Sequence, residues 1–229
     1  MRISDAPDAV RERVRQSLSL FDNHDPRLPY RELALDRALD GLPGFVLPEG
    51  FRFETYAPGD RDAWIDIEQS AREFDSRSEG EAAWERYYGG QEDALTGRMY
   101  FIARDSGEKV ATATAWHDIR TADDGVNAML HWVAVRREAQ GLGLSKPMII
   151  RVLRRMRDLG YRRVAVPTQT TTWLACKVYL DLGFLPIPRS AERSRDGWEI
   201  VRTLTDHPAL ANFARTDVTR WLNGGEPSA

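Results

Sequence analysis

The order of apolar and polar positions predicts a strand followed by a helix between residues 129 and 156. Period-two alternation up to residue 135 indicates a strand with one shared side-chain face. That face consists of Met129, His131, Val133 and Val135. The apolar spacing then changes to four, which indicates one face of a helix. That face consists of Leu144, Met148, Val152 and Met156.

Two glycines lie between these patterns and let the chain turn sharply at the start of the helix. Gly141 and Gly143 lack a Cβ, so the backbone can come close to whatever occupies the turn. A helix that begins at such a turn directs unpaired N–H groups and its positive dipole end toward one point, which suits a phosphate. A dinucleotide-binding fold is disfavoured because the third glycine of G-x-G-x-x-G is absent.

The rest of the chain reads as further strands and helices. Strands are predicted at 51–56, 99–104, 109–116, 163–168, 184–187 and 198–204. Helices are predicted at 5–21, 29–40, 60–70, 82–89, 173–182 and 208–222. A Pro/Gly-rich connector at 41–50 suggests a boundary. The predicted organisation is a helical extension with its connector at 1–50, a main domain at 51–205, and a C-terminal helix and tail at 206–229.

Two motifs carry a resemblance to a known family. The loop Q-G-L-G-L-S from Gln140 to Ser145 resembles the Q/R-x-x-G-x-G/A loop of the GCN5-related N-acetyltransferases (GNAT), with Ser145 in place of Gly or Ala. Downstream, T-x-x-A-x-x-V-Y-x-x-x-G-F from Thr172 resembles the N-x-x-A-x-x-L-Y-x-x-x-G-F helix of the same family, with Thr in the Asn place. Their order and context, about one strand and helix apart, make the pair specific.

The resemblance covers residues 51–205 and implies a fold and an activity. The implied fold is α/β (α+β): a central mixed, mostly antiparallel sheet flanked by helices, with an N-terminal helical extension and a C-terminal helix. The implied activity is transfer of an acetyl group from acetyl-CoA, as co-substrate, to a primary amine by direct attack in a ternary complex. A rival from another class is a non-catalytic acyl-CoA-binding sensor or docking domain. A nucleotide-binding module is disfavoured because the lysine of a P-loop is missing.

The resemblance also implies how coenzyme A is held. The backbone of the strand would pair with the pantetheine arm, and the N–H of Val133 would face the thioester oxygen. The loop amides would take the pyrophosphate; for the glycines, the alternative is a plain tight turn. The implied cofactor-binding residues are Val133, Ala134, Val135, Gln140, Gly141, Leu142, Gly143, Leu144, Ser145, Thr172 and Tyr179. Thr172 has an ordinary alternative as the N-cap of its helix.

Tyr179 and His131 are the predicted catalytic residues. Tyr179 stands at the family position of the acid that protonates the leaving thiolate, and a phenol with a pKa near 10 stays protonated beside a thiol near 8.5. Its alternative is a core position, with Ala175 and Leu182 on the same helix face. His131 has the spacing H-x-L-x-V of serotonin N-acetyltransferases, where an imidazole would accept the ammonium proton. Its alternative is ordinary packing, and His117 is a weaker candidate for the base.

Acidic residues are the predicted binding groups for the amine. Glu68, Glu73 and Asp75 fall where the family has part of its acceptor site, although a solvated charged face explains them as well. The acceptor is expected to be a small molecule or a peptide amine. The sequence leaves homodimer formation open.

Composition narrows the function classes. The 229 residues carry a net charge of −3, so there is no basic footprint for nucleic acid. The single cysteine, Cys176, excludes an internal disulfide, and the four histidines lack metal-ligand spacing, so no metal is expected. Without an apolar leader or a long apolar run, no membrane association is expected and the predicted location is cytoplasmic.

Overall fold

The computed structural model describes residues 24–117 and 128–222. Two compact units are present: residues 38–166 form the larger, and the described residues on either side of that range form the smaller. The predicted helix at 5–21, residues 118–127 and the residues after 222 lie outside the described residues.

The described residues contain seven strands and a set of mostly short helices. The strands are β1 (Glu32–Ala38), β2 (Phe51–Thr55), β3 (Met99–Arg104), β4 (Lys109–His117), β5 (Ala128–Val135), β6 (Arg163–Gln169) and β7 (Leu185–Pro186). The helices are α1 (Arg61–Ser70), α2 (Arg77–Tyr88), α3 (Glu92–Leu95), α4 (Ser145–Asp158), α5 (Trp173–Asp181), α6 (Pro188–Arg193), α7 (Arg195–Thr205) and α8 (Thr219–Leu222). Single 3-10 turns occur at Arg137–Ala139, Thr170–Thr172 and Pro208–Leu210.

The sheet of the larger unit is mixed. Strands β2, β3, β4 and β5 pair antiparallel in sequence order. Strand β5 also pairs with β6, in parallel, with Met129 opposite Ala165. Because the long connection from β5 to β6 contains α4, this part of the chain forms the crossover that a parallel pair requires. The predicted mixed, mostly antiparallel sheet flanked by helices is confirmed.

A β-bulge interrupts the pairing of β4 with β5. Thr112 lies opposite Ala134 and Thr114 lies opposite His131, so one residue of β4 faces two residues of β5, Trp132 and Val133. Trp132 has φ 47°, in the left-handed region that a bulky residue seldom adopts. Such a bulge bends the strand and reverses the side-chain faces beyond it.

The bulge corrects one expectation about β5. Met129 before the bulge and Ala134 after it belong to the same buried cluster, although they are five residues apart. The faces have therefore shifted by one residue, and the prediction that His131 shares a face with Val133 and Val135 is wrong. Alternation of apolar and polar residues carries no sign of the extra residue.

Aromatic side chains dominate the core beside α1 and α2. Trp64, Trp84 and Tyr88 are fully buried and contact one another edge to face, with ring centroids 5.1–5.7 Å apart. Trp64 and Ile67 of α1 are fully buried in this core. The predicted helix at 82–89 is confirmed and starts earlier, at Arg77, because the Ser76 side chain accepts a hydrogen bond from the Glu79 N–H.

Two of the predicted elements in the smaller unit are wrong. Residues 29–40 were expected to be helical, but Glu32–Ala38 is a strand because Leu35 pairs with Pro186 of β7 and alternating Leu33 and Leu35 are buried. Residues 198–204 were expected to form a strand, but they belong to helix α7. Its buried residues follow the helical spacing and include Trp198, Val201 and Leu204.

The predicted long C-terminal helix at 208–222 is also wrong. A 3-10 turn covers Pro208–Leu210, and helix resumes only at α8. Between them the Thr216 N–H donates to the Thr203 hydroxyl, 2.9 Å away, rather than to a helical carbonyl. The short strand β7 corresponds to the strand predicted at 184–187. The boundaries proposed at residues 50 and 205 stay predictions.

Candidate active site

The glycine loop has the conformation that the sequence predicted. Gly141 and Gly143 have φ 78° and 79°, values that L-residues with a side chain seldom adopt. A Cβ at Gly143 would meet nothing closer than a Pro48 side-chain carbon at 3.9 Å, so the loop is open on that side. Leu144 is buried and anchors the loop, and Ser145 begins α4.

The start of α4 fits a bound anion. No side chain of the described residues caps the helix at Leu144, and its first turn contains no acidic residue. The Gln140 side-chain amide donates to the Val135 carbonyl, 3.0 Å away, which fastens the loop to the end of β5. Unpaired N–H groups and the positive end of a 14-residue helix therefore meet at an open glycine turn. These residues fit the pyrophosphate of coenzyme A.

The bulge lies in β5, the strand that comes shortly before this loop. It leaves one residue of the pair Trp132 and Val133 without a residue opposite on β4. A bulge of this kind redirects backbone groups away from the regular ladder. The N–H of Val133, predicted to face the thioester oxygen, belongs to this distorted segment.

His131 is held by a tyrosine that pattern reasoning did not include. Its side chain is 7% exposed, and Nδ1 lies 3.0 Å from the Tyr88 hydroxyl. The Tyr88 hydroxyl in turn donates to the Thr114 Oγ1, 3.2 Å away. The rings of Tyr87 and Tyr88 contact the imidazole edge to face, with centroids 5.1 and 5.7 Å away.

Glu68 is a buried carboxyl group close to this cluster. Its side chain has no exposed surface, and neither oxygen has a hydrogen-bond partner among the described residues. Burial, and secondarily the charge of Glu73, raises the pKa of Glu68 well above its usual value. Charge on Glu68 also raises the pKa of the Tyr88 hydroxyl, after the larger effect of burial, so the two groups are electrostatic neighbours.

The other predicted acceptor residues lie at the surface. Glu73 and Asp75 are exposed, and their backbone N–H groups donate to the Glu68 carbonyl and the Glu79 carboxylate. His117 is exposed and stacks on Trp116 with centroids 4.8 Å apart. Their roles stay predictions.

Tyr179 and Thr172 belong to the smaller unit. Tyr179 is buried on α5, and its ring lies 5.7 Å from the ring of Phe184. Thr172 occupies the N-cap position of α5, but its hydroxyl donates to the Gln169 carbonyl and contacts Thr168 instead of capping the helix. Cys176 of the same helix is fully buried.

A group of half-buried aromatic residues lies next to His131. Trp132 lies between Phe74 and Tyr87, with ring centroids 5.2 and 5.4 Å away, and Tyr87 also contacts His131. The adjacent Tyr87 and Tyr88 at the end of a predicted helix were the only sequence signal. Nothing in their spacing connected them with a histidine 43 residues away.

Within residues 24–117 and 128–222, no group of three or more His, Cys, Asp or Glu side chains has an arrangement that could hold a metal ion. None of the described helices is both long enough and apolar enough to cross a membrane.

Known proteins resemble this chain over part of their length. A mycothiol acetyltransferase of Pseudarthrobacter chlorophenolicus is 29% identical over 166 residues, which are 68% of this chain and 50% of the relative. A mycothiol acetyltransferase of Thermobispora bispora is 29% identical over 148 residues, 62% of this chain and 49% of the relative. The chain thus spans about half the length of these curated relatives.

A solved structure and a family model also resemble this chain. A GCN5-related N-acetyltransferase from Sphaerobacter thermophilus has a TM-score of 0.55 at 21% identity, covering 76% of this chain and 53% of that one, which shows a shared fold. Residues 61–184, more than half of the chain, match the Acetyltransferase (GNAT) family. That range contains the glycine loop, the bulge and Tyr179, and the chain belongs to the GNAT acetyltransferase family.

Proposed function

We propose that this protein transfers an acetyl group from acetyl-CoA to a primary amine by direct attack within a ternary complex. The observation that carries the proposal is the open glycine turn at the start of α4, shortly after the bulge in β5. Family membership supports acetyl transfer, and the predicted residues give that chemistry specific groups.

Acetyl-CoA, when bound, supplies the acetyl group as a thioester. The backbone amides of Gly141, Gly143 and Ser145 bind its pyrophosphate through the favourable end of α4. The backbone at Val133 to Val135 aligns the pantetheine arm, and the N–H of Val133 donates to the thioester oxygen, where negative charge develops during attack.

Two side chains of the chain move protons. His131 accepts the proton of the amine at an imidazole nitrogen, which leaves the nucleophilic lone pair on the acceptor. Tyr179 donates its phenolic proton to the leaving sulfur, the role that its motif position implies. The first step needs a neutral imidazole, and the second needs a protonated phenol.

The acceptor is a cationic amine of a small molecule or a peptide. Glu68, Glu73 and Asp75 supply carboxyl groups that accept hydrogen bonds from an ammonium group. Because Glu68 is fully buried, direct contact with the acceptor requires neighbouring side chains to move aside. Two relatives are named mycothiol acetyltransferases, which is consistent with an amine acceptor for this chain but does not define it.

Coenzyme A binding tests the loop first. At a coenzyme concentration of about 100 Kd the folded state gains about 2.7 kcal/mol, which corresponds to a rise in Tm of roughly 5–10 °C for a chain of this size. Gly143→Glu places a carboxylate against the pyrophosphate and should abolish this rise. Gly107→Glu is the matched control, because Gly107 has φ 91°, lies in the β3–β4 turn, and a Cβ added there would meet nothing within 4 Å.

An amine screen then separates catalysis from binding alone. Release of free coenzyme A, with acetylated product identified by mass, is expected for at least one amine. A normal coenzyme-induced rise in Tm without turnover on any amine would favour the non-catalytic acyl-CoA-binding alternative. An unchanged rise in Gly143→Glu would exclude the loop as the pyrophosphate site.

A further inference from the structure

We propose that Tyr88 is a positioning residue that holds His131 in the tautomer with its proton on Nδ1 and its lone pair on Nε2. The assignment builds on the proposed function, because it specifies which imidazole nitrogen receives the proton of the amine. The observation behind it is the chain of hydrogen bonds from His131 through Tyr88 to Thr114.

The direction of the Tyr88–His131 hydrogen bond follows from that of the Tyr88–Thr114 hydrogen bond, in which the phenol is the donor. A phenol has one O–H to donate and can accept in addition. The Tyr88 proton is donated to the Thr114 Oγ1, 3.2 Å away. The contact of 3.0 Å between the Tyr88 oxygen and Nδ1 therefore requires Nδ1–H as the donor. In a neutral imidazole, a proton on Nδ1 leaves the acceptor lone pair on Nε2.

The same contact serves the protonated imidazole. Once Nε2 has accepted a proton, Nδ1–H still donates to the Tyr88 oxygen, so no hydrogen bond is broken during the transfer. Tyr88 thus does for His131 what a carboxylate or carbonyl does for the base of a hydrolase triad: it fixes tautomer and ring orientation. It touches neither substrate nor coenzyme in this role.

Packing makes Tyr88 a rigid support. The side chain has no exposed surface. Its ring contacts Trp64, Trp84 and Trp116 edge to face, with centroids 5.1–5.7 Å away. These three bulky neighbours oppose a tilt of the ring that would move its hydroxyl away from His131, because displacement within a well-packed core causes strain.

The surrounding titratable groups keep Tyr88 protonated. From α2, Tyr87 and Tyr88 face the imidazole, and from α1 the carboxyl group of Glu68 acts on Tyr88. Burial, together with the charges of Glu68 and Tyr87, raises the pKa of Tyr88 well above its usual value. The phenol therefore keeps the proton that it donates to Thr114 throughout the pH range of an assay.

Two substitutions test the assignment, and both should change the tautomer. Tyr88→Phe preserves the ring and removes the acceptor for Nδ1–H. Thr114→Val preserves the shape of the Thr114 side chain but removes the acceptor for the Tyr88 proton, which is then free to be donated to Nδ1. In each variant the imidazole proton should move to Nε2. Tyr87→Phe, which retains the ring contact at 5.1 Å, is the matched control.

Nitrogen NMR of labelled histidine reads the tautomer directly. We expect wild type and Tyr87→Phe to carry the neutral proton on Nδ1, and Tyr88→Phe and Thr114→Val to carry it on Nε2. The His131 signal is assigned by its loss in His131→Gln. A proton on Nε2 in wild type, or an unchanged tautomer in both test variants, would overturn the assignment.

Kinetics test whether the tautomer matters for transfer. With an accepted amine, kcat should fall roughly 10- to 100-fold in Tyr88→Phe and Thr114→Val, toward the rate of His131→Gln, while the coenzyme-induced rise in Tm stays as in wild type. A wild-type pH–rate profile in Tyr88→Phe would refute the positioning role. The NMR measurement needs no turnover, so a wild type without transferase activity would overturn the proposed function and still leave the tautomer decided.

Discussion

Replacing the buried carboxyl group of Glu68 by an amide should make the protein more stable at neutral and alkaline pH. Glu68 has no exposed surface and neither of its oxygens has a partner among the described residues. The charged form is therefore poorly solvated, and burial raises the pKa of the group well above its usual value, with a further contribution from Glu73. Glu68→Gln keeps the shape of the side chain and cannot ionise.

The sign of the effect follows from proton binding. Between the pKa of the unfolded chain and the higher pKa of the folded state, the folded protein binds more protons, so the free energy of unfolding falls as pH rises through that window. Above both values the loss is about 1.4 kcal/mol for each unit by which the pKa is raised. Glu68→Gln removes this loss, so its advantage over wild type should be small at pH 4 and should grow as pH rises.

Chemical denaturation at a series of pH values measures this difference. Glu49→Gln, at an exposed glutamate, is the control for removing one negative charge and should leave the pH dependence unchanged. A Glu68→Gln curve parallel to that of wild type would refute the argument, because it would mean that Glu68 has the same pKa in the folded and unfolded states.

The same variant tests the predicted role of Glu68 toward the acceptor. A charge-assisted hydrogen bond to an ammonium group contributes about 1.5–3 kcal/mol, so its loss should raise the KM for the amine roughly 10- to 150-fold. Higher stability together with weaker acceptor binding would identify a residue retained for function at the expense of stability. An unchanged KM would remove Glu68 from the acceptor site.

Two further outcomes follow from buried groups of the smaller unit. Tyr179→Phe keeps the ring contact with Phe184 and should lower turnover roughly 10- to 1000-fold, because the phenolic proton is lost. The coenzyme-induced rise in Tm should stay as in wild type, and an unchanged turnover would assign Tyr179 to packing alone. Burial raises the pKa of the Cys176 thiol to about 12, so alkylation of the folded protein at pH 8 should be far slower than that of glutathione, and a comparable rate would show that the thiol is accessible.

Local sequence signals were sufficient to predict the conformation of the glycine loop. Gly141 and Gly143 were expected to permit a turn into a helix, and both adopt positive φ directly before α4. Strands β3 and β4 were also predicted, at 99–104 and 109–116, each from a short apolar run. In both cases the information lies within a few neighbouring residues, which is where pattern reasoning is strongest.

Tertiary pairing overrode local preference elsewhere. Residues 29–40 are rich in Leu, Ala, Glu and Arg, which favour helix, yet β1 is a strand because it pairs with β7, a segment about 150 residues away. In α7 the apolar residues Trp198, Ile200 and Leu204 imitate the alternation of a strand, and only the burial of Val201 completes the helical face. The helix start at Arg77 did have a signal, the Ser76 and Glu79 pair of a capping box.

The bulge at Trp132 lies between two parts of the candidate site, His131 and Val133. The sequence pattern did not reveal this bulge. A left-handed conformation costs a residue with a side chain roughly 1–2 kcal/mol, so it persists only where the surroundings hold it. Trp132 is held by Trp64, Phe74 and Tyr87, whose rings lie 5.2–5.4 Å away. Val133 follows Trp132 within the bulge, and His131, directly before Trp132, contacts Tyr88. The aromatic core thus supports both the backbone group that would bind the developing oxyanion and the imidazole that would take the proton.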